Sequence, residues 1–79
     1  VRNLEVGAIY KHYKGMRVKV LAEALDSENL EKMVVYIHLE DGFMWVRPKN
    51  MFLEKVKFEN KIVFRFSKIN QKNVIKPSK

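Results

Sequence analysis

Cysteine is absent from this 79-residue chain, which excludes a disulfide framework and any cysteine-ligated zinc site. Threonine is absent too, and Ser27, Ser67 and Ser78 have neither a glycine elbow nor a histidine at a spacing that suggests a nucleophile. The three glycines lie far apart, so no phosphate-cradling loop is present. The two histidines, His12 and His38, fall on separate predicted strands and are too sparse to argue for a metal. Glu40 and Asp41 are neighbours in a turn, a poor place for a shielded acid and base. No apolar run approaches the roughly 18 residues of a membrane-spanning helix, and no signal-peptide pattern opens the sequence. These absences lead us to expect a cytoplasmic protein that is not an enzyme, with no catalytic residues, metal, cofactor or membrane association.

What the chain does have is apolar material and positive charge. Hydrophobic residues make up 47% and aromatics 11%, enough to give one small domain a core. A chain this short buries only roughly 60% of its unfolded surface, so most of its apolar residues must contribute. The net charge is +7, unevenly spread. Residues 1–25 carry a balance of +3, residues 26–42 a balance of −4, and residues 43–79 a balance of +8. Such asymmetry attracts polyanions, of which nucleic acid is the commonest in a cytosol; surface lysine kept only for solubility gives the same numbers.

The dominant period is two. Met16, Val18, Val20 and Ala22 alternate with Arg17, Lys19 and Leu21, which predicts a strand with one buried face. Ile9–Tyr13 precedes it across a Lys14-Gly15 turn. Met33–Leu39 and Phe43–Arg47 are joined through Glu40-Asp41-Gly42, and Pro48 ends the second of these. Lys49-Asn50-Met51 is expected to form a single 3₁₀ turn. Phe52–Phe58 and Ile62–Ile69 then make a last hairpin across Glu59-Asn60-Lys61. Five or six short antiparallel strands with one 3₁₀ turn predict an all-β fold, an SH3-like barrel or alternatively an OB-like one. The domain should span residues 1–69, with residues 70–79 as a basic, mobile tail.

Two segments concentrate aromatic and cationic side chains: Tyr10-Lys11-His12-Tyr13-Lys14-Gly15, and Trp45-Val46-Arg47-Pro48-Lys49-Asn50-Met51-Phe52. A two-residue Asp41-Gly42 turn pairs His38 with Trp45 and Tyr36 with Arg47. It sets an aliphatic face (Val35, Ile37, Leu39, Met44, Val46), expected to pack inward, against an amphipathic one. A three-residue loop would instead turn Trp45 to the core. On the first reading Tyr10, His12, Tyr36, His38, Trp45 and Arg47 line an aromatic groove. On the alternative, Tyr10 and Trp45 are core residues with their polar tips satisfied at the rim. Pairing Phe58 with Ile62 and Val56 with Phe64 in the last hairpin places Phe52, Val56, Phe58, Ile62, Phe64 and Phe66 in the core and projects Lys55, Lys57 and Arg65 together, and with Lys68 and the tail they form a basic strip. That strip is either a nucleic-acid surface or a sheet edge guarded by lysine.

The same segments carry a resemblance. Gly7-x-Ile9-Tyr10-x-His12-Tyr13-Lys14-Gly15, Val34-Val35-Tyr36 and Trp45-Val46-Arg47-Pro48-x-x-Met51-Phe52-x-Glu54 resemble a family of short bacterial proteins, a domain of unknown function, over about Gly7 to Phe66. The resemblance implies one compact bacterial domain and no reaction or cofactor. The expected partners are therefore RNA or another single-stranded nucleic acid held weakly by the basic strip, or a protein or peptide in the aromatic groove. A structural role within a larger assembly is the remaining reading, and the expected state is a monomer or weak oligomer.

Overall fold

A computed structural model describes residues 3–69, so the tail expected at 70–79 lies outside the described residues. The chain is mainly β, as its period predicts. Its strands are β1 (Ile9–His12), β2 (Arg17–Leu25), β3 (Lys32–His38), β4 (Met44–Pro48), β5 (Lys55–Phe58), β6 (Lys61–Phe64) and β7 (Phe66–Lys68). One helix, α1 (Lys49–Leu53), stands where the 3₁₀ turn was expected. Hydrogen bonds join the strands into a five-stranded antiparallel sheet ordered β4-β3-β2-β1-β7 and a β5-β6 ribbon. Among the described residues no helix is long and apolar enough to cross a membrane.

Turn chemistry sets the registers. Gly15 (φ +112°) lets β1 reverse into β2, with the His12 N–H donating to the Met16 carbonyl. Between β3 and β4 the His38 N–H donates to the Phe43 carbonyl and the Gly42 N–H to that of His38, so four residues, 39–42, form the loop. The Asp41 carboxylate accepts from the Phe43 N–H (2.9 Å) and holds the loop in shape. Tyr36 therefore pairs with Trp45 and Ile37 with Met44, two residues away from the expected register. A shift of two preserves the faces, so the separation of aliphatic from amphipathic side chains survives.

Their burial is the reverse of expectation. The buried residues are Ala8, Tyr10, His12, Val18, Val20, Val34, Tyr36, Phe52 and Phe66, whereas Met44, Val46 and Leu39 are exposed and Val35 and Ile37 only half-buried. The cause is what covers each face. Phe52 of α1 and Phe66 of β7 stack at 4.1 Å beneath the amphipathic face, touching Tyr36 at 5.3 and 5.6 Å, and Tyr10 meets Phe52 edge-on at 5.4 Å. No described element covers the aliphatic face. The polar tips at the core are met: the Tyr10 hydroxyl accepts from the Glu5 N–H, that of Tyr36 from Arg47 Nε, and His12 Nδ1 from the Lys14 N–H. On β2, Val18 and Val20 are buried as expected, but Ala22, like Met16 just before the strand, is exposed, and a register shift between Val20 and Ala22 makes Leu21 a bulge.

Candidate functional site

The six residues of the expected groove do share one face of the sheet, but three of them form its core. Tyr10 is 1% exposed, Tyr36 3% and His12 9%, which leaves no open groove above them. Only His38, Trp45 and Arg47 reach the surface. Trp45, 51% exposed, packs on the His38 ring at 5.4 Å, and the Arg47 guanidinium sits 5.9 Å above the Phe66 ring while its Nε donates to Tyr36 (3.4 Å). His38 Nδ1 lies 3.9 Å from Asp41. Tyr10 thus follows the core reading, and Trp45 stands at the rim beside His38.

The basic strip is also rearranged, by a single turn. Glu59 and Asn60 both have positive φ (52° and 65°), the signature of a two-residue type I′ hairpin. Phe58 consequently pairs with Lys61, Lys57 with Ile62 and Lys55 with Phe64, one residue away from the expected register. A shift of one exchanges faces: Lys55 and Lys57 now share a side with Phe64 and Ile62. Lys55 Nζ lies 5.4 Å from the centroid of the Phe64 ring. Arg65 leaves the strip, since its guanidinium pairs with Glu54 at 2.5 Å. Its Nε is buried without a hydrogen-bond partner among the described residues. Lys68 is held by the Glu5 carboxylate, and that hydrogen bond raises its pKa above the ordinary lysine value. Phe64, expected in the core, is half-buried, and Ile62 is exposed.

Where the ribbon meets β1 and β7 an open cleft of about 230 Å³ forms. Tyr13, Phe58, Val63 and Phe64 wall it, with Lys11, His12 and Ser67 supplying polar groups. Lys11 and Ser67 are direct cross-strand partners, and Tyr13 meets Phe58 edge-on at 5.1 Å. The Tyr13 N–H donates to the Arg65 carbonyl (3.0 Å), which ties the wall to the β6–β7 junction. Lys14 Nζ stands 5.9 Å from the Tyr13 ring. Among the described residues Lys11, Lys14, Lys55 and Lys57 have no carboxylate partner. Burial lowers the His12 pKa from its ordinary value, and the nearby charges of Arg47, Arg65, Lys14 and His38 lower it further. The cleft therefore keeps a neutral imidazole inside a positive surround.

Sequence reasoning missed Tyr13, Phe58 and Lys11 as a group. Tyr13 and Lys11 lie in the first aromatic segment, one strand position away from the pair that was singled out. Phe58 and Phe64 were assigned to the core by the wrong hairpin register. The positive-φ demand of a Glu-Asn turn is the signal that would have corrected it. Among the described residues no three of His, Cys, Asp and Glu come together as a metal set would require.

The fold and cleft define a small, mainly β domain with an aromatic, lysine-edged recess. The family model described as Protein of unknown function (DUF1653) matches residues 8–68, and the chain belongs to that family. Among solved structures it is similar to the crystal structure of a DUF1653 protein from Bordetella bronchiseptica, with 28% identity, a TM-score of 0.77 and 96% of each chain covered. No curated protein matches the chain.

Proposed function

We propose that this domain is a non-enzymatic cytoplasmic module that holds single-stranded RNA or DNA weakly, with a base in the cleft and the backbone following the lysines. One observation carries the reading: Lys11 lines a recess walled by aromatic rings, Lys14 and Lys55 sit by its Tyr13 and Phe64 rings, and none of the three has an acidic partner among the described residues. Single-strand binders combine these two parts, because every base offers a π-face and every linkage a charge. Stacking contributes about 1–3 kcal/mol per base, and each neutralised phosphate steepens the salt dependence by about 0.7. A sheet edge guarded by lysine needs the charges but not the rings. That difference makes the two readings separable.

The test is fluorescence anisotropy with labelled mixed-sequence oligonucleotides over a range of salt. The parent protein is expected to bind at low salt, with affinity falling linearly in log–log form. No binding at low salt removes the reading. Docking of a protein or peptide beside Trp45 is the second reading, favoured by the exposed Trp45 next to apolar Met44 and Val46. It would be far less sensitive to salt.

A further inference from the structure

One residue of the cleft differs from the others that line it. Lys11 and Ser67 are exposed, Tyr13, Phe58, Val63 and Phe64 are half-buried, and His12 alone is buried. Its imidazole therefore forms the floor of the recess, and the aromatic rings form the walls. The ring is also held in place, 4.5 Å from the Tyr13 ring and 4.9 Å from the Phe66 ring, which it meets edge-on.

Backbone geometry fixes where its proton sits. The Lys14 N–H can only donate, so His12 Nδ1, 3.1 Å away, carries the lone pair. Burial, and after it the charges of Arg47, Arg65, Lys14 and His38, lowers the ring's pKa and keeps it neutral. A neutral imidazole has one N–H, which here falls on Nε2. Among the described residues Nε2 has no hydrogen-bond partner. The one side-chain nitrogen or oxygen among them that is both sealed and unpartnered is Arg65 Nε, so His12 Nε2 is open to solvent. The floor of the cleft thus carries an oriented donor that cannot accept.

We propose that His12 Nε2–H reads the exocyclic group of the base in the cleft, so that the domain prefers the oxo bases uracil, thymine and guanine to cytosine and adenine. This inference rests on the single-strand reading above. A base that enters with its sugar outside presents to the floor the group farthest from that sugar. In uracil, thymine and guanine this group is a carbonyl oxygen, O4 or O6, and in cytosine and adenine it is an amino group. The carbonyl accepts from Nε2–H, whereas the amino group sets donor against donor. The cations around the ring act in the same sense, attracting the carbonyl oxygen and repelling amino hydrogens. Lys11 is likewise only a donor, and the Ser67 hydroxyl can turn either way. The walls do not discriminate, because stacking tolerates every base. Specificity therefore falls to His12.

Anisotropy competition between oligouridylate and oligocytidylate of one length, at neutral pH and one low salt concentration, tests this. The two ligands share their phosphates and differ at the floor by O4 against N4. Oligouridylate is expected to bind about 3- to 10-fold more tightly, the effect of one hydrogen bond. His12→Phe keeps a ring against Phe66 without a donor, and is expected to bring the two affinities together by weakening that for oligouridylate. Oligouridylate with hydrogen in place of O4 makes the same deletion from the ligand side, and needs no variant to fold. Nitrogen NMR of the parent protein is expected to show the Nε2–H tautomer, with proton exchange slowed by oligouridylate and not by oligocytidylate at equal occupancy. Equal affinity for the two oligonucleotides, a preference that survives either deletion, or a ring protonated at Nδ1 overturns the inference and leaves single-strand binding standing. Binding of neither oligonucleotide removes the single-strand reading, and this inference with it.

Discussion

The two aromatic-cationic segments look alike in sequence and are used differently. In the first, alternate residues part company: Tyr10 and His12 enter the core, while Lys11, Tyr13 and Lys14 shape the cleft and its rim. In the second, Arg47 and Phe52 serve the core and Trp45 and Val46 stand at an open edge. Composition made the pair conspicuous, but the covering element decided the outcome. Rings became core where Phe52 and Phe66 lay against them, and aliphatic side chains stayed exposed where nothing did. Hydrophobicity alone would have ranked Val46 above Tyr10 for burial. The small domain fills its interior with large flat side chains whose polar tips reach backbone or neighbour groups at the margin.

The most severe way to break this comparison is to remove the cover. Phe52→Ala should destabilise the domain by about 3–5 kcal/mol, because it empties the centre of the ring cluster. Denaturant unfolding measures it, and a loss below about 1 kcal/mol would mean that the cluster does not hold the sheet. Tyr13→Leu, which keeps apolar contact with Phe58, should weaken single-strand binding by about 1–3 kcal/mol in anisotropy titrations while the unfolding midpoint barely moves. Replacing Lys11, Lys55 and Lys57 together by Gln should lower the salt slope by up to about three times 0.7. An unchanged slope would assign those lysines to solubility. At the small end, Val46→Ala should change the stability of the monomer by less than about 0.5 kcal/mol, since its side chain faces solvent.

His12 adds a pH-dependent comparison. Its folded pKa lies below the ordinary value of 6.5, first through burial and then through the surrounding cations. The unfolded chain thus takes up a proton before the folded one does. The contribution of the neutral ring is complete above pH 6.5 and is lost as pH falls from there through the folded pKa. Thermal melts between pH 5 and 8 should show stability declining on the acid side, and His12→Gln should flatten that decline. A decline of equal size in the variant would place its origin elsewhere.

Much of the strand plan was legible because period-two patterning and punctuation by Gly15, Gly42 and Pro48 are local signals. The position of β3 and the end of β4 at Pro48 followed from them. The registers did not, because a hairpin's pairing depends on the backbone conformation of two or three turn residues. Glu59 and Asn60 adopt positive φ, and that single fact moved Lys55 and Lys57 beside Phe64 and sent Arg65 to Glu54. The β3–β4 loop moved its register by an even number, so Trp45 kept its face despite the wrong partner. Which face was the core was not legible either, since Phe52 and Phe66 reach it from distant points in the chain.

The central claim is that the first segment, and not the second, forms the nucleic-acid site. Amide and side-chain chemical-shift mapping during titration with a short single-stranded oligonucleotide tests it most directly. The largest shifts are expected at Lys11, Tyr13, Phe58, Phe64 and Ser67, with the Trp45 indole and the Val46 amide unmoved. Shifts centred on Trp45, His38 and Arg47, with the cleft silent, would contradict it.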